Sequence, residues 1–282
     1  MSFSLLGLLN AISPKTRQSR RIASGLRYGP GSRQCLDLFA PRDASGPLPV
    51  IVFIYGGSWN EGDRRDYRFV GRALAALGYL VAVPDYRLVP EIEYPRFLED
   101  CAAAVHLVRD VAAEHGGDAN RLALMGHSAG AYNAVMLGLH PGYDLAGRLS
   151  AVVGLSGPYD FYPFDVDVTR RTFGQVAAPE TTQPVNLVTP SAPPMFLATG
   201  ERDTLVYPRN TVALSARLRE NGVAVTERHY AKLDHAGTLL ELGSLLSGRD
   251  TVFSDVAAFL RQRLAPPNSA EIALAAAGND GD

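Results

Sequence analysis

The 282-residue chain is short of the features that would place it in a specialised class. It has only two cysteines, Cys35 and Cys101, with no C-x-x-C or Cys/His spacing. A disulfide scaffold, a zinc site and a redox pair are therefore not indicated, and both residues are expected to be reduced structural thiols. An excess of one charge is missing too. With 27 Lys+Arg against 29 Asp+Glu the net charge is -2, which leaves no positive bias to grip a phosphate backbone, and no nucleic-acid partner is expected. There is no H-E-x-x-H, no dinucleotide G-x-G-x-x-G and no P-loop, so neither a metal nor an organic cofactor is expected. No fixed-period repeat and no Gly/Ser- or Pro-rich linker divides the chain.

Long apolar runs are absent as well. The run that prompts a check, residues 3–12 (FSLLGLLNAI), is too short to span a bilayer. It precedes its basic residues Lys15, Arg17, Arg20 and Arg21 rather than following them, the reverse of a secretory signal. No transmembrane segment and a cytoplasmic location are expected. Residues 1–24 are read as an N-terminal amphipathic segment that packs on the domain, with a homo-oligomer or weak surface association through this segment as the alternative. Residues 265–282 have no basic residue and are expected to form a flexible tail.

What is present is an ordinary apolar content, 46%, in a length at which one domain buries roughly three quarters of its unfolded surface. Short apolar runs at 49–55, 79–84, 121–126, 150–157 and 194–200 suit strands covered on both faces, and 223–230 alternates enough to lie near an edge. Helical patterns at 65–77, 95–115, 210–220 and 251–264 separate them, the first two closing on Gly78 and on Gly116–Gly117. This alternation predicts an α/β fold, a mostly parallel sheet with helices on both faces, over residues 25–264. Residues 158–193, rich in Pro, Thr, Tyr and Asp without periodicity, are expected to be a lid-like insertion.

One local pattern carries chemistry. Gly126-His127-Ser128-Ala129-Gly130 lies between the strand RLALM and the helical run AYNAVMLGL. Small residues two before and two after the serine allow a tight strand-to-helix turn that lifts the hydroxyl clear of the sheet. The N–H groups of the following helix favour developing negative charge there. Gly56-Gly57-Ser58-Trp59, after the strand PVIVFI, supplies a loop whose backbone can approach a substrate oxygen; Gly57 and Ser58, with Ala129, are the expected oxyanion donors.

A serine needs a base, and among the six histidines His235 stands out because its loop, KLDHAG, follows a strand and precedes a helix, at the carboxyl edge of the sheet. Asp203, in GERDTLVYP after the strand PMFLAT, is the expected carboxylate. Asp160 is the main rival, and Glu201 and Asp234 are read as solvated or turn-forming. Trp59, His127 and Tyr159 are candidate substrate contacts. Trp59 and the aromatics of 158–193 (Tyr159, Phe161, Tyr162, Phe164, Phe173) suit a pocket wall or plain packing equally.

With YGGSW (55–59), PDYRLVPE (84–91), GHSAG (126–130), GERD (200–203) and LDHAG (233–237) in this order, the chain resembles the α/β-hydrolase superfamily from about residue 25 to 264. Within it, the resemblance is to small carboxylesterases related to hormone-sensitive lipase, feruloyl and acetyl-xylan esterases and arylformamidase. It implies a Ser128–His235–Asp203 triad acting through an acyl-enzyme on a small-molecule ester, and for Tyr86, Arg87 and Glu91 a role in holding the nucleophile region. One departure is Tyr55, where these families carry His before the glycines. The donors are backbone groups, so the oxyanion loop is expected to survive while its brace changes. Small to medium acyl or aryl esters are the expected substrates. Arylformamidase, cleaving N-formylkynurenine, is the alternative enzyme, and a non-catalytic ligand-binding hydrolase fold is the alternative of another class.

Overall fold

The computed structural model describes residues 17–145, 147–243 and 251–266. The apolar run at 3–12 and the tail from 267 lie outside them. Among the described residues one eight-stranded sheet is formed, in the order β1-β2-β4-β3-β5-β6-β7-β8. The strands are β1 (Ser19–Arg27), β2 (Cys35–Pro41), β3 (Leu48–Ile54), β4 (Leu80–Pro84), β5 (Gly117–His127), β6 (Ala151–Leu155), β7 (Met195–Gly200) and β8 (Val225–Tyr230). β1 and β2 pair antiparallel, as do β2 and β4; from β4 through β8 every pairing is parallel.

The helices are α1 (Arg68–Ala75), α2 (Arg96–Val111), α3 (Ala129–Leu139), α4 (Asp167–Phe173), α5 (Arg209–Glu220), α6 (Gly237–Leu240) and α7 (Val252–Arg263). Thr251 caps α7, accepting from the Ser254 N–H while Ser254 Oγ accepts from the Thr251 N–H. Among the described residues no helix is long and apolar enough to cross a membrane.

The central strands are apolar because both faces are covered. Val50, Ile51, Val52, Phe53 and Ile54 are all fully buried, each side chain contributing about 1.5–3 kcal/mol relative to exposure. β8 is the edge strand that its alternation predicts, and its residues are only half-buried or exposed.

Two differences from expectation stand out. The sheet begins at Ser19, so the expected boundary at residue 25 falls inside β1. β1 and β2 also escape the apolar-run reading. β1 has two register irregularities and a mixed burial pattern, and β2 carries a fully buried Asp37 among its apolar residues.

Because β3, β5, β6, β7 and β8 run parallel, their carboxyl ends open on one edge. Loops leaving different strands converge there, which is where α/β sheets carry their sites.

Candidate active site

Four loops meet at this edge. β3 leads into Gly56–Trp59, β5 into Ser128, β7 into the loop of Asp203, and β8 into the loop of His235. Ser128 has φ 55° and ψ −126°, a conformation strained for a residue with a Cβ and held by the fold around it. The flanking glycines are required by contact: a Cβ on Gly130 would fall 2.0 Å from the Ile54 carbonyl oxygen, and one on Gly126 would fall 2.2 Å from that of Gly130.

Ser128 Oγ–H donates to His235 Nε2 at 2.9 Å, and His235 Nδ1–H donates to Asp203 Oδ2 at 2.8 Å. Asp203 is 2% exposed. Its Oδ1 accepts from the Leu205 and Val206 N–H groups at 3.0 and 2.8 Å. Burial alone would raise the Asp203 pKa, but the His235 hydrogen bond and these two amides outweigh it and hold the carboxyl below the usual range. Asp160, the rival acid, is exposed, and among the described residues only its backbone N–H is engaged, donating to Asn210 Oδ1.

The N–H groups of Gly57, Ser58 and Ala129 donate to no acceptor among the described residues. Gly57 (φ 120°), Ser58 (φ 49°) and Trp59 (φ 60°) turn the loop tightly after β3. Ala129 is the first residue of α3, whose dipole places partial positive charge at this end. Two cavities meet at Ser128. One, about 330 Å³, is lined by Gly57, His127, His235, Leu239 and Tyr67; the other, about 280 Å³, by Trp59, Phe161, Val166, Val206 and Tyr207. Ser58, Ser128 and Leu205 border both. Among the described residues no group of three or more His, Cys, Asp or Glu is placed to hold a metal ion.

Of the candidate substrate contacts, Trp59 lines the smaller cavity but is 3% exposed. Its Nε1–H donates to Asn133 Oδ1 at 3.1 Å, and its ring meets those of Phe173 and Tyr132 at 4.9 and 5.4 Å. Phe161, Phe164 and Phe173 from the 158–193 segment belong to this aromatic cluster. Tyr159 is not a cavity residue: it is fully buried, with its phenol packed against Gly154 and Gly157. Its apparent promise came from sequence proximity to the strand end, whereas the side chain turns inward. His127 lines the larger cavity, yet its Nε2–H donates to the His235 carbonyl at 2.8 Å.

The brace that replaces the family histidine is a buried network invisible in local sequence. Tyr55 Oη donates to Asp85 Oδ1 and accepts from Arg33 Nη2, both at 2.8 Å. Burial pushes the phenol pKa far up, so it stays a donor. Its ring stacks between Tyr67 and Tyr86, and Tyr86 Oη donates to the Tyr55 carbonyl at 3.0 Å. Arg64 then joins Asp85 to Asp37 of β2. Arg87 pairs with Asp100, and the Val89 N–H donates to the Trp59 carbonyl, so the 84–91 segment is bonded to the glycine loop, whereas the resemblance implied the nucleophile region. Glu91 is the exception, exposed and outside this network.

Tyr55→Phe is expected to cost about 1.5–3 kcal/mol, the range for hydrogen bonds to charged groups, because its hydroxyl bonds both Asp85 and Arg33 while Asp85 keeps Arg64 as a partner. Urea unfolding of the two proteins checks this.

Burial, then the nearby His235, lowers the His127 pKa to about 3 from an ordinary 6.5. The unfolded chain therefore takes up a proton near pH 6.5 that the folded chain refuses until about pH 3. Stability should be full above this window and fall as the pH drops through it, with a slope of up to about 1.4 kcal/mol per pH unit. The lowered Asp203 adds in the same direction below its ordinary value of 3.8. Melting temperatures between pH 7.5 and 4 measure the slope, and His127→Gln should flatten it.

A strained serine between the fifth strand and its helix, on a sheet of this order, defines the α/β-hydrolase fold. The chain matches the BD-FAE family over residues 36–218 and belongs to it. Among solved structures it resembles esterase B of Lactobacillus rhamnosis (TM-score 0.77, 20% identity, covering 91% of this chain and 89% of the other). It also resembles the carboxylesterase EstE1 from a metagenomic library (TM-score 0.76, 21% identity, 92% and 94%). Esterase LipC of Mycobacterium tuberculosis is 31% identical over 235 residues, 74% of this chain and 58% of the relative. A probable isoprenylcysteine alpha-carbonyl methylesterase of Oryza sativa subsp. japonica is 28% identical over 265 residues, 84% and 62%. The chain thus spans about three fifths of the length of these two relatives.

Proposed function

We propose that this chain is a serine carboxylesterase acting on small to medium acyl or aryl esters, with Ser128 as nucleophile, His235 as general base and Asp203 as its orienting carboxylate. The observation that carries the reading is the continuous line from Ser128 Oγ through the imidazole to a buried carboxylate, opening between two cavities beside three free backbone donors. Its catalytic unit is the domain expected over 25–264, extended back to Ser19, with 158–193 packed over one cavity. A cytoplasmic location and a chemistry that needs no cofactor are part of this proposal.

In this mechanism His235 Nε2 takes the proton as Ser128 Oγ attacks the ester carbonyl carbon. Negative charge gathers on the carbonyl oxygen, to which the Gly57, Ser58 and Ala129 N–H groups can donate without reorganising. Ionised Asp203 fixes the Nδ1–H tautomer and stabilises the imidazolium. The proton then passes to the leaving alcohol, and water repeats the cycle on the acyl-enzyme. The two cavities would hold the acyl and alcohol parts, with Leu205 at their junction.

Cavities near 300 Å³ lie at the small end of ligand sites. On p-nitrophenyl esters, kcat/KM should peak between acetate and hexanoate and be at least roughly tenfold lower for palmitate, since long chains gain little contact beyond the walls. A maximum at palmitate would sink the size assignment. The named relatives are ester hydrolases, and hydrolysis of N-formylkynurenine draws no support from them.

A further inference from the structure

We infer that His127 is a positioning residue that holds the general base from its backbone side; the inference rests on the triad proposed above. Two donors converge on the His235 carbonyl. One is His127 Nε2–H at 2.8 Å, and the other is Thr238 Oγ1–H at 3.3 Å, whose oxygen in turn lies 2.9 Å from Ser156 Oγ. His127, Thr238 and Ser156 are all buried. A carbonyl can only accept, so His127 carries its proton on Nε2.

The consequence lies in connectivity. Ser128 bonds the His235 imidazole, and the residue before it bonds the His235 backbone. His235 is thus tied at both ends to two consecutive residues of one strand-to-helix turn, and nucleophile and base are held in register by a closed ring of contacts. The His235 loop otherwise leaves the edge strand β8, so its position relative to the central strand β5 is set across the sheet rather than by direct strand pairing. His127 supplies a direct tie from the end of β5 to the loop backbone. Its ring sits 4.9 Å from the His235 ring, filling the space behind the base.

The variants His127→Gln and His127→Leu separate the donor from the bulk, because a glutamine amide nitrogen can reach the position of imidazole Nε2 and leucine offers no donor. His127→Asn, too short to reach, is a second donor-less variant should the leucine protein not fold. Loss of the tie should lower kcat on p-nitrophenyl butyrate roughly 10- to 100-fold through misplacement of the base, with KM within about twofold, while glutamine restores most of the rate. A second readout needs no substrate: the far-downfield proton NMR signal of His235 Nδ1–H against Asp203. It should persist in the wild type and the glutamine variant, and broaden or vanish in the leucine or asparagine variant. Folded donor-less variants with wild-type kcat and an unchanged signal overturn the inference, as does a glutamine variant as impaired as leucine. Should the wild type hydrolyse no ester, the proposed function fails while the NMR comparison still decides the role of His127.

Discussion

Ser128→Ala is expected to lower kcat on p-nitrophenyl butyrate by roughly 10⁴- to 10⁶-fold while leaving the melting temperature within a few degrees of the wild type. The size follows from the loss of covalent catalysis as a whole. Without the hydroxyl, His235 has no proton to take, and only the backbone donors and binding remain, which sustain a modest residual rate. The fold should tolerate the change because alanine keeps the Cβ that the elbow already accommodates at φ 55°. Relief of a hydrogen-bonding hydroxyl from a buried turn, 8% exposed, costs little when its partner His235 retains Asp203. Progress curves with purified protein at matched concentration measure the loss, and a residual rate within tenfold of wild type would remove Ser128 from its role.

The second large effect belongs to Asp203→Asn, expected to lower kcat by roughly 10⁴-fold. An amide in place of the carboxylate can present an N–H to His235 Nδ1, turning the imidazole to the tautomer that carries its proton on Nε2 and cannot accept from Ser128. The two amides on Oδ1, from Leu205 and Val206, retain an oxygen to donate to, so the loop should keep its shape. Asp160→Asn is the internal comparison. Its side chain is exposed and its backbone is held by Asn210 instead, so kcat should change by less than about threefold. The reverse pattern, a large loss at residue 160 and a small one at 203, would reassign the acid to the loop after β6.

The difference between these two aspartates was legible in sequence only as a preference, because both follow strand ends and chain order alone admits either. What the structure adds is depth: the Asp203 carboxylate is sealed beneath its own loop by two amides, whereas Asp160 faces solvent. The elbow was readable because its glycines are dictated by contacts within a few residues or with one neighbouring strand. The same holds for the central strands, whose unbroken apolar runs announce burial on both faces.

The Tyr55 brace was not readable, for a physical reason. Arg33, Asp37, Arg64 and Asp85 come from four separate elements and have no spacing in common, and a buried charge network leaves no periodic trace. It also conceals β2, where Asp37 interrupts an apolar strand yet is as buried as its neighbours because Arg64, Arg21, Ser24 and the Gly25 N–H satisfy it. Tyr86 and Val89 bond the backbone of the glycine loop, and Asp85 beside them adds a side-chain join through Tyr55 and Arg64.

Trp59 and Tyr159 mark a further limit of sequence reading. Both are aromatic and adjacent to site loops, which suits substrate contact, but side-chain direction decides the matter. Trp59 faces the aromatic cluster with one edge on the cavity, and Tyr159 turns beneath the sheet edge. His127, by contrast, neighbours Ser128 in sequence and donates to the His235 carbonyl, a contact that only the meeting of the β5 and β8 loops reveals.

The proposed activation of Ser128 by His235 is tested by reaction of the protein with a fluorophosphonate, followed by peptide mass spectrometry. One equivalent of adduct is expected on the peptide containing Ser128, lost in His235→Ala even though the serine is intact. An unmodified Ser128 in a protein that still turns over ester, or labelling that persists at full rate without His235, would contradict it.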